Sequence, residues 1–243
     1  MKVTYIGHSG FLLEWKNCFW LFDYYEGNIP IPSVPKPLYV FSSHSHGDHF
    51  NPAIFSIAGF SKICYILSHD IMKKAKRYET TVNADSIHFM KARQKLLLPV
   101  EGVHKQLEIQ TLPSTDCGVA FLVHYEGKLI YHAGDLNWWV WPGESKQYNN
   151  NMTANFKNYT APLKGLDIFA AFLPLDPRQG YWYNKGLLYI LEQAENIHYV
   201  FPMHFWKEYS IIRKFASSSE GRAYNRQLQL IEKEGQTFLC TEE

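Results

Sequence analysis

The feature that most constrains this 243-residue chain is a cluster of metal-binding side chains at the end of an apolar run. Residues 38–41 are typical of a buried strand, and Ser43-His44-Ser45-His46-Gly47-Asp48-His49 follows almost at once. Zinc binds imidazole nitrogens and carboxylate oxygens at about 2.0–2.2 Å, and histidine also suits iron and other first-row metals. A strand that ends in such a tight loop can direct two histidines at one ion and Asp48 with His49 at another. The segment therefore predicts a metal site rather than a polar surface turn.

The pattern His44-x-His46-x-Asp48-His49 resembles the signature of the metallo-β-lactamase-fold hydrolases. Residues 5–13, which read YIGHSGFLL, resemble the branch that includes ascorbate-6-phosphate lactonase and many uncharacterised metal-dependent hydrolases. The segments Ala133-Gly134-Asp135 and Pro202-Met203-His204-Phe205 match in the expected order, so the resemblance spans residues 5 to 205. It implies an α/β fold, the four-layer αββα sandwich, with metals at one edge between the two sheets.

The resemblance also implies a ligand set. It comprises two histidines for a first ion, three side chains for a second and one bridging carboxylate: His44 and His46, then Asp48, His49 and His204, and finally Asp135. Two divalent ions lower the pKa of a bridging water toward neutrality and polarise the attacked carbonyl or phosphoryl oxygen. The expected nucleophile is therefore a metal-activated hydroxide, with Asp48 and His204 assigned to catalysis as well as to the metal.

One position departs from the family pattern. Many members have a third histidine for the first metal in the loop that here reads Ser114-Thr115-Asp116. Asp116 is the best substitute, because an ionised carboxylate is a competent oxygen donor. If Asp116 is a ligand, the first site accepts manganese or iron as well as zinc; if it is not, that site is weak and the protein works with one ion. A Cys117 thiolate is a third possibility.

Several residues near these motifs have two open interpretations. His8 lies in a tight turn, where it is either a hydrogen-bonded turn residue or a group that orients a metal ligand. Asp23 ends a predicted strand and either supports a metal histidine or caps the strand. Asp176 follows the apolar run 166–173 and, like His8 and Asp23, is a candidate for a residue that supports a metal ligand or contacts the substrate.

Residues 137–162 form the least regular segment and predict a helical insertion or lid. Three tryptophans begin it, and Trp138 is our candidate for a substrate contact. They either pack the core of the insertion or wall an active-site cleft. Lys91, Arg93 and Arg178 could anchor an anionic group, although a charge on the solvated surface is the favoured account of each.

Composition limits the partners that this chain could have. The 24 basic and 23 acidic residues give a formal charge of +1, which provides no long-range field for nucleic acid or for an anionic membrane. No apolar run is long enough to span a bilayer, no signal segment is apparent, and four scattered cysteines are typical of reduced thiols. We therefore expect a cytoplasmic protein with a small-molecule substrate. The oligomeric state is not predicted.

The pattern of apolar residues predicts one domain over residues 1–243, with strands in two groups and helices outside them. Three short strands begin the chain, a helix follows Asn51-Pro52, and a hairpin turns at Glu126-Gly127. Near the C-terminus, Tyr224, Leu228, Leu230 and Ile231 predict a helix, and residues 237–240 predict a last strand.

The function expected from these features is metal-dependent hydrolysis of a small ester, lactone or phosphoester. The oxygen-reducing di-iron members of the resembling fold usually place a glutamate where this chain has His46, so the resemblance favours hydrolysis over redox chemistry. The alternatives are a non-catalytic metal- or ligand-binding protein of the same fold and a nucleic-acid phosphodiesterase. A true β-lactamase is less consistent with a cytoplasmic protein.

Overall fold

The computed structural model describes residues 1–78 and 82–241, through which thirteen strands run. In chain order the strands are β1 (Lys2–Gly7), β2 (Gly10–Glu14), β3 (Phe19–Phe22), β4 (Leu38–Ser42), β5 (Ile63–Ser68), β6 (Ile87–Met90), β7 (Lys95–Val100), β8 (Lys105–Pro113), β9 (Val119–Tyr125), β10 (Lys128–His132), β11 (Asp167–Pro174), β12 (Asn196–Met203) and β13 (Thr237–Leu239).

These strands form two sheets, each partly antiparallel and partly parallel. The first sheet has the order β13-β1-β2-β3-β4-β5-β6, and the second has the order β12-β11-β10-β9-β8-β7. Strands β3 to β6 run parallel, and so do β10, β11 and β12. The predicted hairpin at Glu126-Gly127 joins β9 to β10, and both turn residues have positive φ, as a two-residue type I′ turn requires.

The helices are α1 (Met72–Ala75), α2 (Lys146–Thr160), α3 (Lys185–Gln193) and α4 (Ser210–Ser217). The segment predicted as a helix after Asn51 is a single 3₁₀ stretch, Pro52–Ser56. Helix α2 lies within residues 137–162, and the role of that segment as an insertion or lid stays a prediction.

The predicted helix through Tyr224, Leu228, Leu230 and Ile231 is wrong. Helix α4 ends earlier, and the chain from Gln227 to Gln229 instead pairs with the open edge of β12. The amide of Val200 donates to the Gln227 carbonyl, and the amide of Gln229 donates to the Val200 carbonyl. Since an unpaired strand edge offers backbone partners that a short helix cannot use, this pairing outweighs the apolar spacing.

Aromatic rings from both sheets fill the space between them. Phe11 on β2 packs on Phe172 of β11 with ring centroids 4.6 Å apart, and Phe22 stacks on Phe41 at 4.5 Å. Burying one such side chain stabilises the fold by about 1.5–3 kcal/mol. A second apolar cluster lies on the outer face of the first sheet, where Ile54 and Ala75 pack, and α3 packs on β11 of the second sheet. The αββα architecture expected from the sequence is thereby confirmed, whereas its extent as one domain over 1–243 stays a prediction.

The ends of several strands meet at one edge of the sandwich. The β1–β2 turn carries His8, and the segments that leave β3, β4, β10, β11 and β12 carry, in that order, Asp23, residues 44–49, Asp135, Asp176 and His204. Crevices at the carboxyl ends of parallel strands are the usual ligand sites of open α/β sheets. In the described residues, no helix is both long and apolar enough to cross a membrane.

Candidate metal centre

The loop after β4 is held by hydrogen bonds to Ser43. The amide of Ser43 donates to Oδ1 of Asp23 at 2.7 Å, and its hydroxyl donates to Oδ2 of the same residue at 2.6 Å. The amide of Val119 donates to the Ser43 carbonyl at 2.9 Å. Two glycines allow this approach. A Cβ on Gly118 would lie 2.0 Å from the Ser43 carbonyl oxygen, and one on Gly134 would lie 2.6 Å from the Ser43 Cβ.

Four side chains form a first donor group, with ligand atoms within 4.8 Å of one another: His44, His46, Asp116 and Asp135. Nε2 of His44 lies 3.0 Å from Nδ1 of His46 and 3.5 Å from Oδ2 of Asp135. Oδ2 of Asp116 lies 3.4 Å from Nδ1 of His46. Asp116, from the loop in which the sequence lacks a third histidine, therefore lies in this group, and its role as a substitute ligand stays a prediction. This half of the centre opens toward solvent through His46 and Asp116.

A second donor group comprises His8, Asp48, His49 and His204, again within 4.8 Å. Oδ2 of Asp48 lies 3.5 Å from Nε2 of His8, 3.9 Å from Nε2 of His49 and 4.0 Å from Nε2 of His204. The sequence predicted three of these four as ligands. His8, which it placed in a supporting position, has its ring nitrogen in the donor group itself.

Asp135 connects the two groups through its two carboxylate oxygens. Oδ2 faces His44 of the first group, whereas Oδ1 lies 3.2 Å from Nε2 of His49 and 3.4 Å from Nε2 of His204. A carboxylate that presents one oxygen to each of two donor groups is suited to bridge two cations.

The residues present fit divalent cations. Nε2 of His8, His49 and His204 and Oδ1 of Asp135 are buried without a hydrogen-bond partner of good geometry among the described residues. Each such atom costs about 1–3 kcal/mol if it is left unsatisfied. The three histidine nitrogens belong to one donor group, and Oδ1 of Asp135 lies 3.2 Å and 3.4 Å from those of His49 and His204, so a cation at this place would give them a partner. Imidazole and carboxylate donors match zinc, iron and manganese better than they match calcium or magnesium.

The ionisation states of the donor side chains suit a cation. Burial lowers the pKa of His8 to about 4, and it also lowers the pKa of His44, so both imidazoles are neutral with a free lone pair near pH 7. Burial acts to lower the pKa of His49, but the Asp135 and Asp23 carboxylates outweigh it and raise that pKa well above its usual value. Burial acts to raise the pKa of Asp135, yet His49 and His204 hold it well below its usual value.

Two buried carboxylates support the histidines from behind. Oδ2 of Asp23 lies 2.7 Å from Nδ1 of His49, and Oδ2 of Asp176 lies 3.0 Å from Nδ1 of His204. Both arrangements leave Nε2 directed at the cluster, as carboxylate–histidine pairs do in metal proteins. The Ser43 hydroxyl, held by Asp23, lies 3.0 Å from Nδ1 of His44.

The site contains backbone strain that the sequence does not reveal. His8, Asp23 and His204 all have positive φ, at 51°, 40° and 62°. Each non-glycine residue in this conformation costs roughly 1–3 kcal/mol, and such residues cluster at functional sites. The amide of His204 donates to the His8 carbonyl at 3.3 Å, so two of these strained residues lie side by side.

His132 is a supporting residue that the sequence analysis missed. It is fully buried at the end of β10, where its Nε2 donates to the Ser9 carbonyl at 3.0 Å and its Nδ1 accepts from the Gly134 amide at 3.2 Å. Nδ1 also lies 3.9 Å from Asp23. The available signal was its place in the apolar alternation of residues 128–132, immediately before Ala133-Gly134-Asp135.

A cavity of about 260 Å³ opens onto the donor groups. Its walls include Trp139 and Trp141, whereas Trp138 lies outside it, with its indole donating to Thr153 at 2.9 Å and packing on Phe156. The predicted substrate contact of Trp138 therefore has no counterpart in this cavity. Of the three tryptophans, one attaches helix α2 and two line the cleft, so each of the two interpretations applies to part of the segment.

The family model for the beta-lactamase superfamily domain matches residues 2–204. Among the curated relatives, a UPF0173 metal-dependent hydrolase of Archaeoglobus fulgidus is 24% identical over 144 residues, and one of Desulforamulus reducens is 30% identical over 142 residues. Each alignment covers 56% of this chain and 62% of the relative.

A solved structure extends the likeness to almost the whole fold. Igni18, a metallo hydrolase from the archaeon Ignicoccus hospitalis, superposes with a TM-score of 0.61 at 18% identity, covering 98% of this chain and 97% of that one. At such low identity the likeness concerns the fold alone. The family model, which matches more than half of the residues, carries the assignment: this chain belongs to the beta-lactamase superfamily.

Proposed function

We propose that this protein is a dinuclear metal-dependent hydrolase of small molecules. The observation that carries the proposal is the position of Asp135, whose Oδ1 and Oδ2 face two separate donor groups. A single-ion or purely structural site has no need of a second group on the far side of the same carboxylate.

When bound, two divalent cations supply a nucleophilic water at neutral pH and polarise the oxygen of the scissile bond. Net hydrolysis adds one water: the acyl or phosphoryl centre gains the water oxygen, the bond to the leaving oxygen breaks, and the leaving oxygen takes the proton. The protein residues hold the geometry. His44, His46 and Asp116 would bind one cation, His8, Asp48, His49 and His204 the other, and Asp135 both.

Zinc is the cation that the donor set favours, with manganese or iron next because of the Asp116 oxygen. The same argument from ligand chemistry leaves lactones, esters and phosphoesters as substrate classes. The cavity is close to the lower end of the range for small-molecule sites, which is about 300–1,000 Å³. A small, compact substrate fits it better than a nucleic-acid strand. We place the protein in the cytoplasm on the composition argument given above.

Metal content and chelator-sensitive hydrolysis, measured together, test the proposal. Protein purified without chelator should contain about two metals per chain by elemental analysis. It should hydrolyse members of a panel of 4-nitrophenyl esters, lactones and bis(4-nitrophenyl) phosphate, and a chelator should abolish that activity. Asp135→Asn should lower metal content and activity together, because the bridging oxygens are weakened for both ions.

Asp167→Asn is the matched control, because Asp167 lies 2.8 Å from the imidazole of exposed His198, at the opposite end of β11 from Asp176. About one metal per wild-type chain, or full activity in Asp135→Asn, would contradict the dinuclear mechanism. Two bound metals without turnover of any substrate would favour the alternative of a non-catalytic metal-binding protein.

A further inference from the structure

Arg178 is the sole lysine or arginine among the described residues that line the metal cavity. It follows β11 two positions after Asp176, in the loop that supports His204. The other charged or metal-binding side chains of the lining are His46, Asp48, Asp116, Asp135 and His204.

One edge of the Arg178 guanidinium is occupied by Asp176. Nε lies 3.0 and 2.9 Å from the two carboxylate oxygens, and Nη2 lies 2.5 Å from Oδ2. The other edge, formed by Nη1 and the remaining Nη2 hydrogen, has no hydrogen-bond partner in the described part of the chain. That edge presents two parallel N–H groups, the arrangement that binds a carboxylate or a phosphate through two hydrogen bonds.

Two indoles hold the plane of the guanidinium. Its central carbon lies 4.6 Å from the ring centroid of Trp206 and 5.8 Å from that of Trp141. Cation–π contacts of this kind stabilise the arginine and restrict its rotamers. A group that is oriented before the ligand arrives loses little entropy on binding.

Charge compensation of Asp176 does not by itself explain this arrangement. Asp176 is completely buried and already faces Nδ1 of His204, yet the Arg178 side chain is 48% exposed and borders the cavity. An arginine that served only its buried partner would gain nothing from an open second edge. Trp139, Trp141 and Met152 also line the cavity and offer an apolar surface for the rest of a small molecule.

We propose that the free edge of Arg178 binds an oxyanion of the substrate, so that the enzyme acts on small molecules carrying a carboxylate or a phosphate beside the bond that is cleaved. This inference rests on the hydrolase function proposed above and specifies its substrate class. Arg178 is then a specificity residue that contacts the substrate, and not only a positioning residue that acts through Asp176.

Three esters of equal chain length test the inference on the metal-loaded protein. They are the 4-nitrophenyl esters of pentanoate, which is neutral, of glutarate, which adds a carboxylate, and of 4-phosphonobutanoate, which adds a phosphonate. The wild type should prefer an anionic ester. Arg178→Met should lower kcat/KM for that ester by roughly 10- to 100-fold, mainly through KM, and the loss on the neutral ester should be much smaller.

Arg178→Lys keeps the charge but lacks the two-pronged edge, and it should recover part of the anionic preference. Arg213→Met is the control, because Arg213 is an exposed arginine that pairs with Glu232 outside the cavity. The metal content of each variant is measured alongside, and Arg178→Met should match the wild type. A preference for the glutarate ester would indicate a substrate carboxylate, and a preference for the 4-phosphonobutanoate ester would indicate a substrate phosphate.

Equal losses on all three esters would overturn the inference, because they would mean that Arg178 acts through Asp176 and His204. Unchanged kinetics in Arg178→Met would overturn it as well. If the wild type hydrolyses none of the esters, the proposed function fails for esters, and calorimetric titration with glutarate and 4-phosphonobutanoate decides the inference separately. Binding that weakens in Arg178→Met would support it, and absence of binding to the wild type would refute it.

Discussion

The carboxylate of Asp23 lies 2.7 Å from Nδ1 of His49, and both side chains are fully buried. The contact fixes the imidazole so that Nε2 faces Asp135 at 3.2 Å. The same carboxylate holds Ser43, so that Asp23 controls both the ring of His49 and the start of the metal loop.

Asp23→Asn should therefore weaken metal binding although Asp23 is not in either donor group. The carboxylate accepts from the Ser43 amide through Oδ1 and contacts the Ser43 hydroxyl and His49 through Oδ2, whereas the amide has only one acceptor oxygen. Loss of such a partner typically reduces metal affinity by about 10- to 100-fold. Competition with a chromogenic chelator measures the change.

Asp167→Asn removes an aspartate–histidine contact of similar length, at 2.8 Å, on the protein surface. It should leave the affinity for metal as in the wild type. Equal affinities in the wild type and Asp23→Asn would show that His49 does not depend on Asp23 for its orientation.

Asp116→Ala tests the substitute for the missing histidine. Removal of its oxygen leaves the first donor group with His44, His46 and the shared Asp135, so metal content should fall from about two toward one per chain, with loss of hydrolysis. Elemental analysis measures it. The exposed Asp85 supplies the control variant, Asp85→Ala. A retained second metal in Asp116→Ala would exclude Asp116 as a required ligand.

Gly118→Ala should destabilise the protein through the metal loop. Gly118 has a φ of +68°, and an added Cβ would lie 2.0 Å from the Ser43 carbonyl oxygen, which is backbone and cannot rotate away. Gly102 has a similar φ of +78° with nothing within 4 Å of its Cβ position.

The two variants separate backbone strain from steric clash. Gly102→Ala should lower the free energy of unfolding by about 1 kcal/mol, because an L-residue is strained at that φ. Gly118→Ala should lower it by about 1–3 kcal/mol more and reduce metal content. Urea denaturation measures both. Similar destabilisation in the two variants would mean that the loops can move apart at little cost.

Chelation should lower the melting temperature. A ligand that binds only the folded state at 100 times its dissociation constant stabilises that state by about 2.7 kcal/mol. For a chain of this size that corresponds to a shift of roughly 5–10 °C. Scanning calorimetry with EDTA, followed by addition of zinc or manganese in separate samples, measures the shift and its reversal. Asp135→Asn should show a smaller shift, and an equal one would place the stabilising metal elsewhere.

The pH dependence of stability in the chelated protein should depend on His8. Burial lowers its pKa from 6.5 to about 4 in the folded state, whereas the unfolded chain takes up the proton near 6.5. Stability is therefore lost as the pH falls from 6.5 toward 4, with no further loss from this group below that.

His8→Gln removes this dependence and should lose less stability on acidification. Between about pH 7.5 and pH 5, the wild type should lose up to roughly 2 kcal/mol more than the variant. Urea denaturation at both pH values measures the difference. His104→Gln, at an exposed histidine, is the matched control. Identical pH profiles for wild type and His8→Gln would show that the pKa of His8 is not lowered in the folded chelated protein.

The local sequence determined the metal motif, most of the strands and one hairpin of this protein. The spacing of His44, His46, Asp48 and His49 after an apolar strand indicates metal chemistry, because few other functions place four such donors within six residues. The apolar alternation locates most strands, and a two-residue turn at Glu126-Gly127 specifies its hairpin. Each of these patterns involves residues that are close together in the sequence, so each can be recognised without knowledge of the fold.

Only the tertiary structure decided which distant side chains share a donor group. His8 and His204 are 196 positions apart, yet their ring centroids lie 4.3 Å apart because the β1–β2 turn and the end of β12 meet at the same edge of the sandwich. The same holds for Asp116 beside His46, for His132 behind Asp23, and for Arg178 at the cavity. Such contacts depend on how the two sheets pack, and the energy that holds residues like His8 at positive φ comes from the whole core and not from the neighbouring sequence.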